Sequence, residues 1–597
     1  MISKIENVLL LRPYIILMLL VVLAFANSLQ NSFVWDDQGL IVDNPKIELP
    51  LKEIFSAFTT PLWKMAGITE AGQGYYRPMV SLLFILDYKI WGLNPVGFHL
   101  TNIFLHIIAV IVSYKIGLLL FNKDENAKLI SLMAASVFAI HPAHNEPIGR
   151  SASGEVIFGF FIIISLYFFL KDKKYLSWLT FFLALMSKEA AIMLPFALII
   201  LSTDKKGFKK GLIAITPYII LAGIYVVMRA MFADTVLGDN VNKPLFTRLI
   251  TMSVAAFDYV RLFLIPYPLS PFYPAKWYIS IFEPKVLLAI ASFILITFHA
   301  VTLRNDRTRL FLLLFPLSML VPVIFRVNTF PVGLESVYIA ERFLYVPVML
   351  FSLLISAYAV RLAGEKSKKH LIIGWALIIA IFTGITVSSN TTWKNNIALY
   401  TKIIQASPDA AFAHNNLGNA YYAKGLKNEA FKEYKTAVKL KPYDIVFHQN
   451  LGEFYYLEGE LNKAVQEFNA ALKPMPNAHK FDNVHSKQGA LNQADINKTF
   501  WEYQPCFANT HFYLGRVYLA QGNIDKATRK FKVATILKPD FVEAHYNLGN
   551  VYRKQGKLDD AVKEYQTVLK LNANHADARN NLESLYIKTK NKLGIIP

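Results

Sequence analysis

The chain has 597 residues, 54% of them hydrophobic and 17% charged, and carries a net charge of +20. Soluble domains carry about 25% charge, and disordered chains are polar, so neither a single water-soluble globule nor a disordered chain fits. One cysteine, Cys506, excludes a disulfide framework and any CxxC zinc or redox site.

Length suggests several domains, and the charges divide them. Residues 1–400 hold 35 Lys or Arg and 23 Asp or Glu, whereas residues 401–597 hold 27 and 19 in half the length. The first part reads as apolar and the last third as soluble. A spanning helix needs about 20 mostly apolar residues, fewer when packed inside protein. Eleven runs qualify: 13–29, 98–121, 130–146, 155–170, 174–187, 190–202, 211–230, 285–303, 309–326, 343–361 and 370–388. The first has no small-x-small cleavage site and is expected to be an uncleaved anchor.

Alternate connections differ in charge. The N-terminus and the stretches 122–128, 171–174 (KDKK), 203–210 (TDKKGFKK), 303–309 (LRNDRTR) and 361–370 hold 18 Lys or Arg in 48 residues. The opposite set, including 30–97 and 231–284, is mixed or mildly acidic. Positive-inside bias places the first set in the cytoplasm and, after eleven crossings, the C-terminal third outside. The positive charge is thereby explained without nucleic acid.

The unusual polar residues gather at the outer span ends: Asp36-Asp37, Tyr76-Arg77-Pro78, His141-Pro142-x-His144-x-Glu146, Lys188-Glu189 and Glu341-Arg342. Charges at membrane depth are costly and line cavities or pair. In the Asp pair one carboxylate can face a cavity while the other bonds the loop backbone. Their proximity should raise at least one pKa, which suits a general base; a loop cap is the plainer reading. His141 and His144 could share a helix face, but Glu146 is poorly spaced as a third metal ligand, so hydrogen bonding within a cavity is expected instead. Lys188 and Glu189 are expected to form an internal ion pair. No GxGxxG, P-loop or DxD string supports a nucleotide or nucleotide-sugar metal, so no cofactor and no metal are expected.

Residues 411–575 repeat with a period of 34. Gly418, Gly452, Gly515 and Gly549 are spaced 34, 63 and 34, and Ala430, Ala464, Ala527 and Ala561 keep step. This is the tetratricopeptide pattern of paired helices. The units are 411–444, 445–478, 508–541 and 542–575, with an insertion at 479–507 and a capping helix at 576–590. Asn416, Asn450 and Asn547 recur at the sixth position, and Asn419 and Asn550 at the ninth. Side-chain amides both donate and accept, so such a ladder could hold an extended acceptor peptide; shared ancestry of the repeats would also produce it.

The ordered set Asp36-Asp37, Tyr76-Arg77-Pro78, Phe98-His99-Leu100-Thr101-Asn102, Leu105-His106, the His-Pro motif, Ser187-Lys188-Glu189, Pro268-Leu269 and Glu341-Arg342-x-Leu344-Tyr345-x-Pro347, with the trailing repeats, resembles the transmembrane and tetratricopeptide-repeat-containing O-mannosyltransferase family and its prokaryotic relatives, in the GT-C superfamily. The resemblance implies transfer of a sugar from a polyprenyl-phosphate carrier to an acceptor hydroxyl outside the cytoplasm. Asp36 or Asp37 would be the base, and Arg77, Arg342 and Arg150 ligands of the donor phosphate, since guanidinium matches phosphate bidentately. The family's Gly-Arg-Ala-Asp-like string is here Gly149-Arg150-Ser151-Ala152, followed by Glu155.

The expected architecture is therefore all-α. A GT-C-like polytopic membrane domain of about eleven spans (1–390) carries the Asp-Asp motif in loop 30–97, followed by a linker (391–410) and a soluble solenoid (411–597). Partners are the bilayer, a polyprenyl-linked sugar and a protein acceptor. The expected location is a prokaryotic plasma membrane. A non-catalytic tetratricopeptide scaffold is the alternative, distinguished by absence of lipid-sugar turnover. A transporter fits less well, since no inverted repeat is visible. The charge bias has a direct test: a tag after Pro597 should be protected from cytoplasmic protease and a tag in 203–210 cleaved. The reverse pattern would overturn the orientation.

Overall fold

The computed structural model describes residues 12–67, 75–202, 207–232, 244–274, 276–303, 306–325, 339–473 and 493–592. Parts of two expected connectors (203–206 and 304–305) and inserted residues 479–492 lie outside the described residues. The chain forms two compact units, Met1–Pro408 and Asp409–Pro597.

In the first unit all eleven apolar runs fall on helix. Among the described residues six helices are long and apolar enough to cross a membrane: Pro13–Gln30, Pro95–Leu120, Gly211–Phe232, Pro284–Thr302, Glu341–Gly364 and Ser367–Trp393. Ala127–Ile140, Glu189–Ser202 and Thr308–Leu320 are shorter. The run expected at 130–146 stops at Ile140 because Pro142 forces His141 into an extended conformation, ψ 129°. The chain then makes a short helical elbow, Asn145–Gly149, before Gly154–Leu170, with a bend of 112°. This elbow carries the polar motif into protein rather than lipid. Leu129 to Ile140 is almost wholly buried, so a helix of 14 residues needs no lipid contact to be stable. Helices 10 and 11 of the expected set meet at Gly364, whose φ of +55° only glycine adopts without strain.

Two differences matter for the site. The stretch 231–284, read as loop, contains the helix Leu245–Leu264. It was hidden because Arg248, Asp258 and Arg261 interrupt its apolar side; buried Asp258 meets Lys285 at 2.8 Å. The expected linker 391–410 is not a linker. It holds a turn of 3-10 helix, Thr391–Trp393, and the helix Asn396–Ala406, capped by Asn395, whose Oδ1 accepts from the Ala398 N–H at 3.0 Å. Leu399, Tyr400 and Ile403 are buried, so apolar spacing at i, i+4 fixes this helix.

The second unit is four helix pairs: Ala411–Ala423 with Lys427–Leu440, Ile445–Leu457 with Leu461–Ala471, Gln493–Ala520 with Ile524–Leu537, and Val542–Lys554 with Leu558–Leu571, closed by Ala576–Lys592. The third pair opens inside the expected insertion, since its first helix starts at Gln493 rather than 508. The glycine period has a packing cause. A Cβ on Gly418, Gly452, Gly515 or Gly549 would stand 2.5–2.9 Å from the ring of Tyr434, Phe468, Phe531 or Tyr565. Each glycine is the socket for an aromatic of its partner helix.

A second period was missed in the sequence. His414, His448, His511 and His545 occupy the fourth position of the units. Three of them reach a glutamate 19 residues on, Glu433, Glu467 and Glu564, at 2.5, 2.7 and 2.6 Å. His448 and His545 also donate from Nε2 to the carbonyls of Pro442 and Pro539, at 2.9 and 3.0 Å. Both neighbours accept, so satisfying both ring nitrogens requires the protonated imidazole. For His448 burial opposes protonation, but Glu467 and the Pro442 carbonyl outweigh it, and the pKa is raised; for His545 Glu564 raises it. In the third unit Lys530 stands where the glutamate would be, and burial with this lysine lowers His511 to about 4.

The signs are opposite. His448 and His545 add stability as pH falls through their raised folded values, fully below about 6.5, whereas His511 subtracts stability as pH falls from about 6.5 towards about 4. Lys530→Glu should therefore stabilise the third unit by about 0.5–1 kcal/mol near pH 6 and by less above pH 8. Hydrogen exchange over 524–537 measures it; a gain independent of pH would refute the pairing.

Candidate active site

The span Pro13–Gln30 ends in a loop that turns sharply at Trp35, a non-glycine residue at φ +53°. Such a conformation persists only when its surroundings hold it. Here the Trp35 N–H donates to Asn396 Oδ1 at 3.2 Å, and the next two residues are fixed by their carboxylates. Asp37 is fully buried and accepts from the backbone N–H of Val34, Ala152 and Ser151, at 3.0, 2.8 and 3.4 Å. Burial raises its pKa, while Arg150 and the Val34 and Ala152 N–H groups pull it back. Asp37 is thus a staple between the first loop and the turn after the elbow. Asp36 points the other way, keeps 35% of its side chain exposed, and meets Arg150 Nη2 at 2.9 Å. The paired carboxylates are divided between anchoring and presentation.

From Asp36 a chain of ion pairs runs inward. Arg150 also approaches Glu146 at 3.6 Å, one helical turn back. Glu146 accepts from the Arg342 N–H at 3.1 Å and binds the same residue's guanidinium. Arg342 Nε lies 3.7 Å from Glu155, which Lys188 Nζ reaches at 3.0 Å. A second group holds Arg77 against Glu189 at 3.3 Å, with Arg229 at 4.0 Å on the same carboxylate. Lys188 and Glu189, expected to pair with each other, are held chiefly by Glu155 and Arg77, with Glu189 acting on Lys188 only as a weaker, more distant charge. Adjacent residues at a strand-like Lys188, ψ 135°, point apart, and each finds a partner from another helix. Arg77 is placed on Glu189, and Arg150, not Arg77, meets the Asp36 carboxylate. Arg229 and Glu155 are members of the network that were not expected as such. A charge at a span end was the available signal.

His141 and His144, expected to line a cavity, sit among packed rings rather than beside the Asp36–Arg150 pair. Both are fully buried. His141 shares Nε2 with the Phe263 carbonyl at 3.0 Å, accepts from Ala143 N–H at Nδ1 and stacks on the Phe263 ring. His144 packs against the rings of His106, Phe138 and Tyr345 at 4.9–5.4 Å. Proline at 142 turns both rings into the helix core. Among the described residues no group of three His, Cys, Asp or Glu is placed to hold a metal.

The residue that ties the site together lies in the former linker. Trp393 is fully buried, and its Nε1 donates to Asn145 Oδ1 at 2.8 Å. A Cβ on Gly149 would stand 3.0 Å from its ring. Arg150 lies between the rings of Trp35 and Trp393, 5.7 and 5.8 Å from their centroids, in cation–π range. Asn145 in turn donates to Glu341 Oε2 at 3.2 Å, and Glu341 Oε1 accepts from the Ser270 N–H and Tyr273 O–H at 2.8 and 2.7 Å. One indole therefore touches both the Asp36–Arg150 arm and the Glu341–Arg342 arm.

In the repeats the asparagines are partly engaged with each other. Asn450 Nδ2 donates to Asn415 Oδ1 at 2.8 Å across units, and Asn415 donates to Asn416 Oδ1 at 3.3 Å. Asn419 and Asn550 accept from Tyr434 and Tyr565 at 2.7 Å each, and Asn547 donates to its own helix, to the Glu543 carbonyl. Asn450 and Asn416 are thus linked only through Asn415, a fifth-position residue, and in the third unit Tyr513 and Arg516 take the sixth and ninth positions.

Tetratricopeptide repeat profiles match residues 411–444, 515–556 and 542–575. Across both units the chain is 27% identical over 450 residues to a protein O-mannosyl-transferase of Caenorhabditis elegans, covering 72% of this chain and 63% of that protein. It is 26% identical over 478 residues to the protein O-mannosyl-transferase TMTC3 of Homo sapiens, covering 70% and 50%. With TMTC1 of Homo sapiens it shares 23% over 502 residues, covering 70% and 54%. The chain is similar to these O-mannosyl-transferases over some 70% of its length. It spans between half and two thirds of the length of these relatives.

The indole geometry makes a graded prediction. Trp393→Phe keeps the ring but leaves the buried Asn145 carbonyl without its donor, which should cost about 1–3 kcal/mol. Trp393→Ala adds a cavity beside Gly149 and should cost about 3–5 kcal/mol. Thermal unfolding of the full chain in detergent measures both; a Phe variant as stable as wild type would remove the Asn145 bond from this account.

Proposed function

We propose that the chain is a membrane glycosyltransferase of the GT-C type. It moves a sugar, mannose by analogy with its relatives' names, from a polyprenyl-phosphate carrier to a hydroxyl of a protein acceptor. The observation that carries this reading is the division of labour within the Asp pair. Asp37 is consumed by three backbone bonds, so Asp36, partly exposed and oriented by Arg150, is the base. It takes the proton of the acceptor hydroxyl as that oxygen bonds to the anomeric carbon. The bond from that carbon to the lipid phosphate breaks, and the phosphate leaves with the electron pair. Arg342 keeps a quarter of its side chain exposed and can offer the donor phosphate a planar pair of N–H groups without leaving Glu146 wholly unpaired, since Arg150 also reaches that carboxylate. Arg150 holds Asp36, and Arg77 supports the wall through Glu189.

The lysine-rich connectors support a cytoplasmic N-terminus and an extracytoplasmic site and repeat domain, and in this reading the membrane is a prokaryotic plasma membrane. The repeats hold the acceptor protein near the site, raising its local concentration. The amides of Asn416, Asn450 and Asn547, which keep part of their surface in the open, are the contacts with its backbone.

The test is substitution within the pair. Asp36→Asn keeps size and removes the base, and transfer from a polyprenyl-phosphate sugar should fall by about 10²–10⁴ with the fold unchanged. Asp37→Asn should instead lower the melting temperature. Near-normal turnover of Asp36→Asn would remove the base assignment, and absence of turnover in wild type with any polyprenyl-phosphate sugar would remove the transferase reading.

A further inference from the structure

Beside the ionic site lies a cavity of about 940 Å³ that none of Asp36, Arg150, Glu146 or Arg342 lines. One wall is the last span near its end at Asn390, the other the loop Tyr267–Pro271, and the helix Asn396–Ala406 closes the top. The last span is largely peripheral: of its most apolar 18 residues only 6% are fully buried, while Trp375, Ile379, Phe382 and Ile385 rest half-buried on the core. Its cavity face is graded along the axis. Ile381, Gly384 and Ile385 are apolar; one turn further come the hydroxyls of Ser388, Ser389 and Thr392; then Lys402 from the capping helix. Ile381 and Tyr267, on the two walls, are 59% and 68% exposed, so the apolar end is open along the span.

The wall contains two charged side chains, and their roles differ. Glu341 is buried, with both oxygens bonded to Ser270, Tyr273 and Asn145. Lys402 is exposed, so the charge offered to a ligand is positive. An apolar slot open towards the bilayer, a collar of hydroxyls and one ammonium at the water end match a lipid with a phosphate head. The one carboxylate of the lining, Glu341, is already fully hydrogen-bonded, and the Asp36–Arg150 pair is not part of the lining. Its occupant is therefore bound, not turned over.

We propose that this cavity is a binding site for an anionic phospholipid of the surrounding bilayer, with the tail against Ile381–Ile385 and the phosphate at the hydroxyl collar and Lys402. The lipid fills the gap between the last span and the Tyr267–Pro271 loop, and so supports Asn145 and Trp393 from behind. The site stands independently of the transferase reading, because binding is read without any transfer.

Gly384 makes the test clean. A Cβ there meets nothing within 4 Å, so a side chain can start from this cavity-lining position without displacing a neighbour at its root; Gly374, on the same helix outside the cavity, is equally open and serves as control. The full chain is reconstituted in nanodiscs of equal parts phosphatidylcholine and phosphatidylglycerol, exchanged into detergent, and its retained lipid identified by mass spectrometry. Wild type and Gly374→Trp should retain phosphatidylglycerol, and Gly384→Trp should lose it. Lys402→Glu should weaken the preference for phosphatidylglycerol by about fivefold, the value of one cation near an anionic head. Equal retention by Gly384→Trp and Gly374→Trp, or no retained phospholipid in wild type, would overturn the site. Polyprenyl phosphate displacing phosphatidylglycerol from wild type would also overturn it, by making the cavity the donor's.

Discussion

The Glu146–Arg342 contact is the interaction on which the rest of the site depends. Glu146 sits on an elbow created by Pro142, almost without access to water, and an ionised carboxylate there is tolerable only if paired and hydrogen-bonded. Arg342 supplies backbone and side-chain bonds at once, from a residue 196 positions away. Each further member, Arg150 on one side and Glu155 with Lys188 on the other, extends the same requirement until the chain of charges reaches Asp36, where it meets solvent. These six residues come from five segments of the first unit, so the network fixes the spans relative to one another as much as it prepares a surface for a charged ligand.

What the sequence revealed follows from what repeats in it. Apolar runs and lysine-rich connectors are one-dimensional signals, and every run became a helix. The glycine period of 34 was legible because its cause, a ring from the partner helix seated on each glycine, recurs in every unit. The same logic applied to His414, His448, His511 and His545, which kept that period without attracting notice since histidine alone suggests no packing role. Partners in three dimensions were another matter. Lys188 beside Glu189 invited a local pair, but neighbours at an extended residue diverge, and each charge took a partner from a distant helix. Leu245–Leu264 stayed hidden because Asp258 and Arg261 lower its hydropathy, although both are paired in place.

The Asp pair illustrates the limit in the other direction. Its two roles were foreseeable as alternatives, but nothing in the string Trp35-Asp36-Asp37 says which residue takes which. That division is made by the turn at Trp35 and by the N–H groups of Ser151 and Ala152. The stretch 391–410 misled for a related reason: its mixed polarity looks like a tether, whereas its asparagines are caps and its tryptophan is a core residue.

The bonds that close the first loop join residues at opposite ends of the membrane unit. Ser32 bonds the Lys394 carbonyl, Trp35 bonds Asn396, and Asn31 reaches the Asn390 carbonyl, with sequence separations of 362, 361 and 359. Contacts of such high order form late, after the loop-closure entropy has been met by intervening packing. During synthesis the loop bearing Asp36 leaves the ribosome early, yet it cannot be latched until the last span has been inserted and the chain has emerged beyond Asn396. The nascent protein would thus carry its Asp36 carboxylate unpositioned until then, and the final turn of Thr391–Trp393 acts as the closing pin of the first unit.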